Sequence, residues 1–261
     1  MASIGARLRE LAPAGHRRWR EFNWSQFVVL AAVCVCAGGL FAFARIMDEV
    51  AEGETHGFDQ AILLALRNPA DRADPIGPLW LEIMMRDYTS LGSHAVLGLM
   101  GVLAFGYLML VRKHLSAGML VVSFAGGMAL NSLLKFGFAR PRPDLVAHLV
   151  EVHTASFPSG HAMLSAVCYL TLGALLAGVA PARRYKTYIL ATAIGLTLLV
   201  GASRIYLGVH WPTDVLAGWC LGAAWAMACW LVVRGGVLWM QRRADRAGAG
   251  QGVPPPGPPP G

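Results

Sequence analysis

Charge is what this chain has little of. Asp, Glu, Lys and Arg make up 14% of its 261 residues, where a soluble domain carries roughly a quarter. Hydrophobic residues make up 56%, and the mean hydropathy is +0.50. This balance excludes an ordinary water-soluble domain and leaves an integral membrane protein. Cysteine is scarce as well. The five residues Cys34, Cys36, Cys168, Cys220 and Cys229 lie in apolar runs without C-x-x-C spacing, so they read as small buried hydrophobes rather than a disulfide framework. Metal and nucleotide motifs are also missing: there is no H-E-x-x-H, no short motif of paired aspartates and no G-x-x-x-x-G-K-[ST] loop. No metal site and no cofactor are expected. The net charge of +7 on so apolar a chain marks cytoplasmic loops and not a nucleic-acid partner.

What the chain does have is apolar runs long enough to cross a bilayer. Residues 1–24 are basic, with Arg7, Arg9, Arg17, Arg18 and Arg20, and read as a cytoplasmic segment. The run Gln26–Ala44 is the first span. It ends in Ala42-Phe43-Ala44, which resembles a signal-peptidase site, but its length and long basic lead favour an uncleaved span. Further spans are expected at about Leu91–Val111, Leu115–Leu134, Ser159–Val179, Thr187–Ala202 and Asp214–Val233. The expected domain therefore covers 25–235, and residues 236–261, closing in Pro-Pro-Pro-Gly-Pro-Pro-Pro-Gly, read as a disordered tail. Residues 45–90 are acidic, with two amphipathic pieces around Phe58, Ile62, Leu63 and Leu66 and around Ile76, Leu79, Trp80, Ile83 and Met84. These suit either the membrane interface or packing against the bundle. The fold class is thus all-α, a polytopic bundle of six transmembrane helices.

Basic turns at Arg112-Lys113-His114 and Arg183-Arg184 fall on the same side as both termini, which the positive-inside rule makes cytoplasmic. The acidic loop, the 135–158 loop and the 203–214 turn fall on the outer side. Three clusters of functional side chains gather there: Lys135, Arg140 and Arg142; Pro158-Ser159-Gly160-His161; and Ser203-Arg204 with His210 and Asp214. Taken singly, Lys135 reads as a snorkelling lysine, Ser159 as a helix N-cap and Asp214 as an acid at a helix start. Taken together they meet the demands of a phosphoryl group, whose charged oxygens need preorganised donors. Lys135, Arg142 and Arg204 supply positive charge, Ser159 a hydroxyl and Gly160 close backbone approach. Two histidines can lie on opposite sides of the phosphorus: His210 attacks, oriented by Asp214 four residues on, and His161 protonates the leaving oxygen.

The pattern Lys135-x6-Arg142-Pro143, Pro158-Ser159-Gly160-His161 and Ser203-Arg204-x5-His210-x3-Asp214 resembles the three-part signature of the type 2 phosphatidic acid phosphatase superfamily. The resemblance implies an all-helical, metal-independent phosphatase in which His210 forms a phosphohistidine, His161 is the acid and Asp214 pairs with His210. Lys135, Arg142, Ser159, Gly160 and Arg204 would hold the phosphate. Arg140 falls outside the signature and reads as a headgroup contact. The expected activity is removal of a terminal phosphate from a membrane lipid at the outer face of the plasma membrane. Undecaprenyl diphosphate is the first candidate, followed by phosphatidylglycerol phosphate, phosphatidic acid and a lipid A phosphate. A lipid phosphotransferase would use the same residues. The related vanadate haloperoxidases are soluble, which the six spans disfavour, and a non-catalytic transporter is disfavoured by the intact histidines and aspartate. The sequence leaves the oligomeric state open.

Overall fold

Backbone that lies in hydrocarbon must satisfy its own N–H and C=O groups, so apolar runs of this length fold as helices. The computed structural model describes residues 24–152 and 154–249. The basic amino-terminal arginines and the Pro254–Gly261 segment lie outside the described residues. Eight helices follow in order among the described residues: α1 (Trp24–Glu52), α2 (His56–Ala65), α3 (Leu79–Ser90), α4 (His94–Leu110), α5 (His114–Phe138), α6 (Gly160–Val179), α7 (Arg183–Tyr206) and α8 (Pro212–Ala249). A short antiparallel pair, β1 (Arg67–Asn68) and β2 (Asp71–Pro75), sits between α2 and α3.

Five helices, α1 and α5 to α8, are long and apolar enough to cross a membrane on their own. The sixth span differs from its expected form. The apolar run beginning at Leu91 yields only the 17-residue α4, and α3 joins it through a break with a 46° bend. The break has a local cause. Ser93 caps α4 by accepting from the Val96 N–H at 3.3 Å, and the Tyr169 hydroxyl on α6 donates to the Leu91 carbonyl at 2.8 Å. Two other boundaries move. α1 runs unbroken through Ala44 to Glu52, and α8 continues as helix to Ala249 where a disordered tail was expected from 236. In that extension Trp239, Arg242 and Arg243 still read as one continuous turn of helix, with Arg243 over the Trp239 ring.

Helix α6 is the centre of the bundle. Of its most apolar stretch 61% is buried, against 11% for α1. It packs against α7 and α8, with α5 and α4 completing its surround, and α1 lies along the outer side of α8. The contact of α6 with α8 is close because Gly222 has no side chain: a Cβ there would stand 2.5 Å from the Met163 carbonyl oxygen and 2.8 Å from the Ala166 Cβ. Close approach of backbones is how helices gain packing where no water is available to drive them together. Phe43 of α1 stacks on Phe157, and Met163, Ala217 and Leu221 fill the same cluster.

Because successive spans run antiparallel, the end of α5, the start of α6, the end of α7 and the start of α8 all emerge at one end of the bundle. Helices α2 and α3 cover that end from the side. α2 buries Asp59 and Leu63, while Phe58 is 51% exposed. α3 turns Leu81 and Met85 inward and leaves Leu79 and Trp80 out. Gly222→Val forces the α6–α8 contact apart and should lower the thermal unfolding midpoint in detergent, with a penalty of about 1–3 kcal/mol. Gly38→Ala, with nothing within 4 Å of the new Cβ, should leave the midpoint unchanged. Equal melting of the two variants would contradict the packing described.

Candidate active site

The turn that carries His210 is set by how α7 ends. Gly208 takes φ +74, a region glycine enters without strain. It donates to the Ile205 carbonyl at 3.0 Å while Val209 donates to the Arg204 carbonyl at 3.2 Å, the paired bonds of a Schellman stop. Arg67 of β1, almost fully buried, donates from Nη1 to the Tyr206 carbonyl at 2.9 Å. The chain then reverses, and α8 starts at Pro212, the position where a proline costs no helical hydrogen bond. His210 is thus fixed between two helix ends, and Asp214 lies in the first turn beyond it.

His210 and Asp214 have essentially no exposed surface. Asp214 Oδ2 accepts from the Trp211 N–H at 3.0 Å and from the Ser156 hydroxyl, and lies 3.4 Å from His210 Nδ1. The Ser156 oxygen is also 3.4 Å from Nδ1. On the other side of the ring, Arg142 Nη1 stands 3.3 Å from His210 Nε2. A guanidinium can only donate, so Nε2 presents its lone pair and the ring proton sits on Nδ1, facing Asp214. Burial lowers the His210 pKa from 6.5 to about 4; Asp214 opposes the shift, and Arg142 and Arg204 add to it. The imidazole is therefore neutral, with an unprotonated Nε2, across the physiological range.

The cations converge on this ring from three elements. Arg142 is held by Thr154, through its carbonyl at 2.8 Å and hydroxyl at 3.3 Å, and by the Val209 carbonyl at 2.5 Å. Its burial lowers its pKa, an effect Asp214 offsets. Lys135, near the end of α5, donates to the Thr154 hydroxyl at 2.8 Å. Arg204, near the end of α7, is 4% exposed and donates from Nη1 to the Thr89 hydroxyl of α3 at 3.0 Å. His161, in the first turn of α6, lies within electrostatic range of Arg204, His210, His94 and Lys135, and its ring meets His94 edge to face at 6.4 Å.

Two buried donors near this cluster have no partner among the described residues: the Ser159 hydroxyl and Arg204 Nε. Ser159 stands at the N-cap position of α6, but its side chain caps no backbone N–H. Its own N–H donates to the Asp214 carbonyl at 3.0 Å, which ties the start of α6 to the start of α8. Leaving buried donors unpaired costs about 1–3 kcal/mol each, and an anionic oxygen is the group that would satisfy both. Gly160 lies against Asn131, whose Oδ1 would be 3.1 Å from a Cβ.

The structure brings together all eight expected residues, Lys135, Arg142, Ser159, Gly160, His161, Arg204, His210 and Asp214. It corrects the place of Arg140, which is not a headgroup contact. Its side chain is 9% exposed, and its guanidinium donates inward to Asp214 Oδ1 at 2.6 Å and Asp59 Oδ2 at 2.8 Å. Sequence reasoning also passed over Ser156, Thr89, Thr154, Thr213 and Asp59. The one available signal was that Asp59 falls on the face of α2 that carries Leu63.

An all-helical membrane bundle with two histidines, a carboxylate and three cations at one end has the architecture of a membrane-embedded phosphatase. Comparison gives the family. The profile of the PAP2 superfamily matches residues 116–236. Phosphatidylglycerophosphatase B of Bacillus subtilis is 36% identical over 144 residues, covering 55% of this chain and 70% of that protein. An undecaprenyl-diphosphatase of Sulfolobus acidocaldarius is 37% identical over 109 residues, covering 40% of this chain and 48% of that one. The crystal structure of a transmembrane PAP2-type phosphatidylglycerolphosphate phosphatase from Bacillus subtilis superposes with a TM-score of 0.61 at 30% identity, covering 78% of this chain and 94% of that one. The chain belongs to the PAP2 superfamily, and it is a phosphatase of that type.

The tautomer and pKa of His210 can be read by nitrogen NMR on histidine-labelled protein. At pH 7 the ring should be neutral with its proton on Nδ1, and it should gain its second proton near pH 4. Titration near 6.5, or a proton on Nε2, would contradict the geometry.

Proposed function

We propose that the protein hydrolyses the terminal phosphate of a membrane lipid through a phosphohistidine on His210. The observation that carries this is the unprotonated Nε2 of His210, facing Arg142 with Arg204 nearby, while Nδ1 faces a buried carboxylate. In the first step the Nε2 lone pair forms the N–P bond as the P–O bond to the lipid breaks, and His161 gives its proton to the departing oxygen. The positive charge arising on the ring is stabilised by Asp214. In the second step His161 takes a proton from water, the water oxygen attacks phosphorus, and the N–P bond breaks to release inorganic phosphate and restore His210. The unpaired Ser159 hydroxyl and Arg204 Nε, with Arg142 and Lys135, hold the phosphoryl oxygens.

A small apolar crevice of about 40 Å³, lined by His94, Leu97, Phe124, Met128, Leu164 and Val167, opens between α4, α5 and α6 and supports entry of a lipid chain from that side. Leu164 lies one turn along α6 from His161, so the crevice begins on the side where the leaving group departs. The basic turns favour a reading in which this end of the bundle faces outward across the plasma membrane and both termini are cytoplasmic. The first substrate to test is a prenyl diphosphate such as undecaprenyl diphosphate. Phosphatidylglycerol phosphate is the second reading, favoured by the likeness to the Bacillus subtilis phosphatidylglycerolphosphate phosphatase across nearly all of that structure.

Purified protein in detergent with EDTA should release phosphate from at least one of these lipids. His161→Ala should lower the rate by roughly 10²–10⁴-fold, and by much less on a substrate whose leaving group needs no proton. Full activity in His210→Ala, or loss of activity to chelator alone, would contradict the mechanism. The ratio of rates on the diphosphate and on the phosphoglyceride assigns the substrate.

A further inference from the structure

We propose that Asp59, on α2 and outside the three signature clusters, is a positioning residue for the reaction, acting on His210 through Arg140 and Asp214. This rests on the reading of His210 as nucleophile. Asp59 has no exposed surface, and both of its oxygens are used. Oδ1 accepts from the Thr213 N–H at 2.9 Å, so a residue of α2 caps the first turn of α8. Oδ2 accepts from the Thr213 hydroxyl at 2.7 Å and from Arg140 Nη2 at 2.8 Å. Arg140 divides its donors between two carboxylates. Nη2 also reaches the Thr55 hydroxyl at 3.1 Å, while Nη1 reaches Asp214 Oδ1 at 2.6 Å and the Thr213 hydroxyl at 2.9 Å. Asp214 is thereby held by Oδ1, which leaves Oδ2 turned to His210.

The charges decide what this does. Asp59, Arg140 and Asp214 together carry a net charge of −1. Were Arg140 paired with Asp214 alone, that carboxylate would be neutralised by a bidentate partner, the strongest kind of pairing a carboxylate finds. His210 would then face no net negative charge when its ring becomes cationic. Asp59 draws half of the guanidinium away and keeps one negative charge uncompensated beside His210. In surroundings this buried, such a charge acts with little screening. Among the described residues, the other charged or titratable groups here are Arg142 beside His210, Arg204 from α7 and His161 from α6, with Lys135 from α5 in electrostatic range of Asp214 and His161. All are cationic or can become so, and Asp59 with Asp214 is the counterweight.

Because α2 also buries Leu63 against Val146 and Trp211, a structural role must be told apart from an electrostatic one. The test measures kcat, KM and the acid limb of kcat/KM against pH for Asp59→Asn, Arg140→Gln and the double variant, in detergent, with His210→Ala alongside. Asp59→Asn brings the three-residue net charge to zero. It should lower kcat by roughly 10–100-fold, the range of coupling within one buried network, and move the acid limb to lower pH, with KM little changed. Arg140→Gln brings the charge to −2 and should move the limb the opposite way. The double variant returns the charge to −1 and should turn over faster than Asp59→Asn alone, with its limb back near that of the parent. If Asp59 only props up α2, the double variant will be slower than either single one and both limbs will stay in place, which overturns the proposal. Should Asp59→Asn fail to fold, Arg140→Gln by itself must still raise the limb, and an unmoved or lowered limb overturns it. Unchanged turnover in folded Asp59→Asn, with His210→Ala inactive, sinks this inference alone. Activity in His210→Ala removes the mechanism beneath it.

Discussion

A carboxylate with no exposed surface, in a protein built to sit in hydrocarbon, is the constraint around which the site is arranged. Removing such a group from water costs several kcal/mol unless it is paired and hydrogen-bonded. Asp214 is held from every side: by the Trp211 N–H, the Ser156 hydroxyl, the His210 ring and Arg140. Arg140 and Ser156 come from the 139–159 segment, His210 and Trp211 from the turn after α7, and Asp214 itself starts α8. Satisfying one buried charge therefore ties the 139–159 segment to the α7–α8 turn, two stretches far apart in sequence. The ring that results is neutral, buried and oriented, which are the conditions a histidine needs to act as a nucleophile at neutral pH.

The bundle serves this by geometry. Antiparallel spans return every second turn to the same end, so Lys135, His161, Arg204 and Asp214 arrive together without any loop reaching far. Gly222 lets α8 lie against α6, and the Ser159 N–H joins to the Asp214 carbonyl, so the starts of these two helices are tied together. Helix α3, bent from α4, adds Thr89 to hold Arg204. The outer helices are thus part of the support of the proposed phosphate cradle as well as its cover.

How much of this could be read in the chain differs by type of feature. Span positions followed from apolar length alone; they held to about a turn for α5, α6 and α7, while α1 and α8 run well beyond their expected ends. The α3–α4 bend was not legible, because it depends on Tyr169 from another helix reaching the Leu91 carbonyl. The eight signature residues were legible because their spacing is local and each type has a chemistry a phosphate requires. Arg140 and Asp59 were not. Asp59 lies in a stretch whose many acidic residues read as a solvated outer loop, and its partner is 81 residues away. Ser156 and Thr154 are small polar residues in a loop, and no periodicity marks them. The continuation of α8 to Ala249 was missed because basic and glycine residues after Val233 look like a helix stop, while side-chain pairs such as Arg243 on Trp239 support the helix beyond them.

In the proposed reaction, phosphate passes through a covalent bond to His210 Nε2. This is tested most directly by mixing the enzyme with lipid labelled in its terminal phosphate, quenching in alkali within a turnover and locating the label by peptide mapping. An alkali-stable, acid-labile label is expected on the peptide containing His210, lost in His210→Ala and accumulating in His161→Ala when the leaving group needs no proton. Turnover with no label on the protein at any time, or label on a residue other than His210, would contradict it.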